Sequence, residues 1–85
     1  MHRKLFLKLI ESIEKSGDGK TPETAYIVIN TSEEYVLLNY QGYQPAGQAL
    51  MRVNGHIYDK MSVVNPKTKE KSEVYFQIDA FFGKL

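Results

Sequence analysis

The sequence predicts an α+β domain in which two helices pack on one face of a small, mainly antiparallel sheet, in the order α-β-α-β-β-β. Three observations carry that reading. Apolar residues recur at helical spacing through the first fifteen positions, the period changes to strand-like alternation beyond Gly47, and the pair Asn54-Gly55 divides the alternating stretch where a tight hairpin turn belongs.

The first element runs from His2 to Lys15. Leu5, Phe6, Leu9, Ile10 and Ile13 fall on one side of a helix, while Arg3, Lys4, Lys8, Glu11, Glu14 and Lys15 fall mainly on the other, and Ser16-Gly17 ends it. The stretch Gly17 to Tyr26 is a run of turn formers and caps. Within it Thr21 stands where an N-cap belongs, followed by Pro22 at a position that tolerates a missing N–H, so one turn of helix at most is expected.

Ala25 to Ile29 is short, aliphatic and β-branched, which favours a buried strand. Thr31-Ser32-Glu33-Glu34 then reads as a capping box, with Thr31 on the N3 backbone N–H and Glu34 reaching back. The second helix starts there and continues through Tyr35 and Leu38 to Gly42, which adopts the left-handed conformation at C′ without a Cβ penalty.

Gln44-Pro45-Ala46-Gly47 reads as a loop, and Gln48–Val53 and His56–Asn65 as strands joined by a type I′ turn, in which both central residues need positive φ. A second hairpin passes through Pro66-Lys67-Thr68-Lys69-Glu70 to Ser72–Asp79, where Val74, Phe76 and Ile78 alternate with Glu73, Tyr75, Gln77 and Asp79. The second half is thus a three-stranded meander. Phe81 or Phe82 is expected to tuck under a helix, a partner-binding terminus being the alternative.

Eighty-five residues fit one domain, 1–85, able to bury roughly 60–65% of the unfolded chain's surface. Eleven Lys and Arg against ten Asp and Glu leave a formal charge of +1 with no basic stripe, which argues against nucleic acid or anionic lipid as a dominant partner. Cysteine is absent, so disulfides and thiolate metal sites are excluded and a reducing compartment fits. The N-terminus superficially resembles a signal peptide, but Lys8 and Glu11 interrupt its apolar run too early. A cytoplasmic chain without a membrane span is expected, or an exported one if it is a fragment of a longer protein.

Several motifs invite chemistry and fail on spacing. Gly19-Lys20-Thr21 lacks the earlier glycine of a P-loop, Glu14 standing in its place, and follows a helix where a strand is required. Asp18-Gly19 resembles the middle of an EF-hand loop, but its twelfth position is Ala25, not the bidentate glutamate. Asp18 is expected to bond its own loop backbone as an Asx turn. His56, Tyr58, Asp59 and Ser62 supply acid, base and nucleophile types, yet on a strand His56 and Asp59 point to opposite faces while His56 and Tyr58 share one. Of the six tyrosines, Tyr40 and Tyr43, flanking Gly42, are the ones expected to be exposed.

The segment Gly17 to Tyr26, with Glu33-Glu34-Tyr35, Gln48-Ala49-Leu50, Asn54-Gly55-His56-Ile57-Tyr58-Asp59, Pro66-Lys67-Thr68 and Tyr75-Phe76-Gln77-Ile78-Asp79, resembles a bacterial family, domain of unknown function 4919. The resemblance covers nearly everything after the first helix and implies membership of longer, often exported bacterial proteins. It implies no reaction. Lys69 stands where that pattern commonly has glycine; a left-handed residue there costs about 1–2 kcal/mol, unless the turn differs.

The functional expectation is a non-enzymatic binding or protein-interaction module, with the Gly17–Thr24 and Tyr40–Gln48 loops as contact edges. Candidate binding residues are Asp18, Lys20, Tyr40, Tyr43, His56 and Tyr58; no catalytic residue, metal ligand or cofactor is expected. The partner is expected to be protein, and the chain a monomer or homodimer. Two other classes compete: a small immunity or regulatory protein that binds and inhibits a partner enzyme, and a weak hydrolase using His56 and Asp59.

Overall fold

The computed structural model describes residues 3–80, with side chains over 7–80. Helix α1 (Arg3–Lys15) buries Ile10 and Ile13 and half-buries Leu9. The side chains of Leu5 and Phe6, and the whole of His2, Phe81 and Phe82, lie outside the described residues. The helix stops at Ser16, whose N–H and hydroxyl both donate to Ile13 O (3.0 and 2.5 Å), and the Ser16 hydroxyl oxygen in turn accepts from Ile27 N at 2.8 Å. One serine therefore satisfies the end of α1 and fixes where the next strand lies.

Thr21 caps a single 3₁₀ turn, Pro22–Thr24, with Pro22 at its first position. Strand β1 is only Tyr26–Ile27, shorter than the Ala25–Ile29 expected. The ladder is cut at both ends because flanking N–H groups have other acceptors: Ala25 N donates to Pro22 O, and Ile29 N to Glu33 Oε1. Ala25 and Val28 are buried all the same.

Helix α2 spans Thr31–Tyr40, and its N-cap is Asn30, not Thr31. Asn30 Oδ1 accepts from Glu33 N at 3.0 Å and from the Ser32 hydroxyl at 2.7 Å. The capping chemistry is of the expected kind but begins one residue earlier, so Glu33, not Glu34, occupies N3 and reaches back to the preceding turn. At the other end Gly42 has φ +84°, Tyr43 N donates to Leu38 O (2.9 Å) and Gly42 N to Asn39 O (3.1 Å), the paired bonds of a Schellman motif.

Strands β2 (Gln44–Val53), β3 (His56–Val64) and β4 (Lys71–Gln77) form the expected meander, and β1 adds parallel to β4, giving the order β1-β4-β3-β2. Asn54 and Gly55 have φ of 51° and 81°, as the type I′ turn requires. Gln44 to Gly47 was expected to be a loop and is instead the start of β2, with a register shift between Pro45 and Gly47. Proline is accommodated because β2 lies at the sheet edge and the shift is a bulge, the two places where a missing ladder N–H does little harm. Asp79, expected as a strand end, lies past β4; its carboxylate accepts from Ile57 N at 2.7 Å and extends the pairing by a side chain.

Val74, Phe76 and Ile78 alternate into the core as expected, and meet Met61 and Val63 from β3, Ile10 and Ile13 from α1, and Leu37 and Leu38 from α2. Full burial of an aliphatic or aromatic side chain of this size contributes about 1.5–3 kcal/mol, which lets so small a core hold without cross-links. The helices do not cover β2: Gln48 and Arg52 stay exposed and Leu50 is 58% exposed. No helix among the described residues is long and apolar enough to cross a membrane.

Candidate functional site

The loop after α1 is shaped by its own hydrogen bonds before it meets anything else. Asp18 Oδ1 accepts from Lys20 N at 2.9 Å, the expected Asx turn, and from the Thr24 hydroxyl at 2.6 Å. Those two donors, the Thr24 hydroxyl foremost, hold the Asp18 carboxyl below its ordinary pKa. Gly19 N donates to Thr24 O (2.8 Å), and Gly19 O accepts from Tyr75 N (2.8 Å), which pins the loop to β4. Gly19 has φ +72°, and a Cβ there would lie 2.4 Å from the Tyr26 ring, so both backbone and space require glycine.

Opposite this loop stands the C-terminal end of α2. Gln41 Nε2 donates to Tyr26 Oη at 3.2 Å and to Glu14 Oε2 at 3.1 Å, linking α2, β1 and α1 through one amide. The Tyr26 ring lies on Phe76, centroids 5.7 Å apart. Between the walls is a cleft of about 480 Å³, with Asp18 and Lys20 on one side, Gln41 and Tyr43 on the other, and Ser72, Glu73 and Val74 of β4 beside them. Its apolar part is Tyr26, Tyr43 and Val74; its rim carries charges of both signs. A smaller cavity of about 320 Å³ between α1 and β1, lined by Leu9, Ile13, Ile27 and Ile29 among others, is mainly aliphatic.

The six candidate residues thus divide. Asp18, Lys20 and Tyr43 come together in the cleft. Tyr40 is 51% exposed, as expected, but does not line it; Tyr43, also expected to be exposed, is half-buried against the core. His56 and Tyr58 lie at the other end of the sheet, their rings 6.4 Å apart. His56 Nδ1 is 2.6 Å from Asp79 Oδ2, and Asp79, bonded also by Ile57 N and Gln77 Nε2, has its pKa lowered, chiefly by the Ile57 N–H and then by His56. His56 and Asp59 are on opposite faces of β3, as the strand alternation implies.

Asp59 belongs instead to a buried acid pair that the sequence reading missed. Asp59 is 2% exposed and Glu34 is fully buried. Burial and the neighbouring Asp59 carboxyl push Glu34 up to about 9, so at neutral pH it keeps its proton and can donate it to Asp59. Gln48 Nε2 bonds Asp59 Oδ2 at 2.5 Å. Apart from that shared proton, Asp59 Oδ1 and both Glu34 oxygens have no hydrogen-bond partner among the described residues. The spacing Glu34, Leu37, Leu38 along one helix face was the sequence signal for burial, and assigning Glu34 to the cap concealed it.

No cluster of three or more metal-ligating side chains occurs among the described residues. Comparisons with curated proteins and with solved structures gave no match. A family model, described as a domain of unknown function, matches residues 2–84, so nearly the whole chain, from the helix through the pinned loop to the meander, is one instance of that module. The chain belongs to the family of domain of unknown function 4919.

Proposed function

We propose that the chain is a non-enzymatic binding module that takes a segment of a protein partner in the cleft between the Gly17–Thr24 loop and the C-terminal end of α2. The observation that carries this reading is that two stretches distant in sequence, around Asp18 and around Gln41, meet across one cleft with a tyrosine-rich apolar part and a mixed-charge rim. Fully buried aromatic contacts ringed by polar groups are how protein interfaces combine affinity with specificity. The walls are also rigid, since Gly19 is bonded to β4 and Gln41 to two other elements, which lowers the ordering cost of binding. The His56–Asp79 pair and the Glu34–Asp59 pair both lie away from the cleft, whose lining is left to contacts of the interface kind.

The test is titration of the isotope-labelled chain with a panel of short mixed-charge peptides, followed by backbone amide shifts. The expected result is saturable movement confined to Gly19, Lys20, Gln41 and Ser72, with affinity falling at least about tenfold in Lys20→Glu. Movement confined to the His56 end, or binding indifferent to Lys20→Glu, refutes it.

A further inference from the structure

Strand β2 closes the sheet and is paired with β3 alone among the described residues. Its ten residues make it the longest described strand. Open edges are ordinarily kept short, kinked or charged, because their free N–H and C=O groups template another strand. In β2, Pro45 and the bulge protect the beginning and the Asn54-Gly55 turn closes the end. Between them Gly47 to Val53 is seven residues of regular ladder, centred on the exposed Leu50 and carrying one charge, Arg52.

We propose that this edge is a homodimer interface, with β2 pairing antiparallel to β2 of a second copy about a twofold axis at Leu50. That register uses all seven residues. It sets Leu50 against its own counterpart, Ala49 against the partner's Met51, and Gln48 against the partner's Arg52, so the two guanidinium groups are kept apart.

A second observation selects the same occupant. On the inner face Leu50 is directly opposite Asp59, and Gln48, one step along, holds Asp59 Oδ2. Asp59 and Glu34 form a buried carboxyl pair in which Asp59 Oδ1 and both Glu34 oxygens have no hydrogen-bond partner among the described residues, and the ion pairs there, His56–Asp79 and Lys60–Glu73, leave both out. Buried acceptors left without a donor are costly. In the dimer the partner's Arg52 stands beside Gln48, where its guanidinium can donate to the Gln48 carbonyl and bring positive charge toward Asp59. The twofold supplies this twice, and the cleft lies on a different part of the surface.

Seven paired residues bury less than the roughly 800 Å² per partner of a standard interface, so association on the order of 10–100 μM is expected. Sedimentation equilibrium from about 10 μM to about 1 mM reads it directly. The wild-type chain is expected to shift from monomer to dimer across that range. Leu50→Lys, which faces two ammonium groups at the axis, and Arg52→Glu, which brings a carboxylate toward Asp59, are each expected to weaken dimerisation by at least about tenfold. Both positions are exposed, and an unchanged circular dichroism spectrum verifies the fold. Lys20→Glu, in the cleft, leaves dimerisation unchanged. A chain that stays monomeric at about 1 mM, or a dimer indifferent to both β2 variants, overturns the proposal.

Discussion

At one end of the sheet β1 contributes two residues, Tyr26 and Ile27, beside α1 and the pinned 17–24 loop; at the other β2 contributes ten and pairs with β3 alone among the described residues. The short edge is protected by truncation, since Ala25 and Ile29 give their N–H groups to a turn and a carboxylate. The long edge has a proline and a bulge only at its start. Two helices suffice to cover β1, β4 and β3, and the apolar content follows that limit: Tyr26, Phe76 and Met61 are buried, whereas Gln48, Leu50 and Arg52 on the same face of β2 are not. The buried core therefore rests on three strands, and the fourth adds none of its side chains to it.

The largest effect expected from that division is a contrast between two truncations on one face. Phe76→Ala opens a cavity beneath both helices and is expected to lower unfolding free energy by about 3–5 kcal/mol. Leu50→Ala, measured in the same urea titration at a concentration low enough to keep monomers, is expected to change it by less than about 0.5 kcal/mol. Comparable losses at the two sites would mean that β2 is as much a part of the folding unit as β4.

The boundary between the regions is the Glu34–Asp59 pair, and its signature is in pH. Glu34 titrates near 9 when folded and at its ordinary 4.5 when unfolded, so folding takes up a proton between those values. Its contribution is fully present below about pH 4.5 and is lost as pH rises toward 9. Glu34→Gln keeps the donor and removes the titration. At about pH 8 the variant is expected to be more stable than the wild type by about 1–3 kcal/mol, the gain vanishing near pH 4.5. Denaturant melts at the two pH values check this, and an equal offset at both would mean that Glu34 is not held protonated.

What the sequence made legible follows the same line. Elements set by local chemistry were readable to within a few residues: the Asx turn at Asp18, the Gly42 cap, the Asn54-Gly55 hairpin and the alternation around Phe76 are each decided by neighbours in the chain. What failed depended on long-range geometry. Gln44 to Gly47 reads as a loop until one knows that β2 is an edge, where proline is harmless. Of the cleft, Asp18, Lys20 and Tyr43 were readable as candidates, but Gln41 was not, since only tertiary packing brings it to Tyr26 and Glu14. Glu34 was misassigned because Asn30 and Thr31 both cap well, and a choice of one residue rotates a carboxyl from solvent into the core.

The two hairpins extend the comparison at the smallest scale, because each places a residue other than glycine at positive φ. Asn54, with φ 51°, opens the turn into the exposed edge and is a residue type that tolerates the left-handed region; Lys69, with φ 64°, closes the turn between the covered strands and is not. Lys69 is held there by its N–H to Asn65 O at 2.7 Å and by Asn65 Oδ1, which accepts from Lys67 N and Thr68 N and shapes the turn. Glycine at this position relieves about 1–2 kcal/mol of backbone strain and gives back about 0.4–1 kcal/mol through a more flexible unfolded chain. Lys69→Gly is therefore expected to stabilise by about 0.5–1 kcal/mol, seen as a rise of a few degrees in Tm. The converse exchange Asn54→Lys should lower Tm by a similar amount. If Lys69→Gly is instead destabilising, the aliphatic stem or charge of Lys69 holds the turn, and its left-handed backbone is compensated by contacts of the side chain itself.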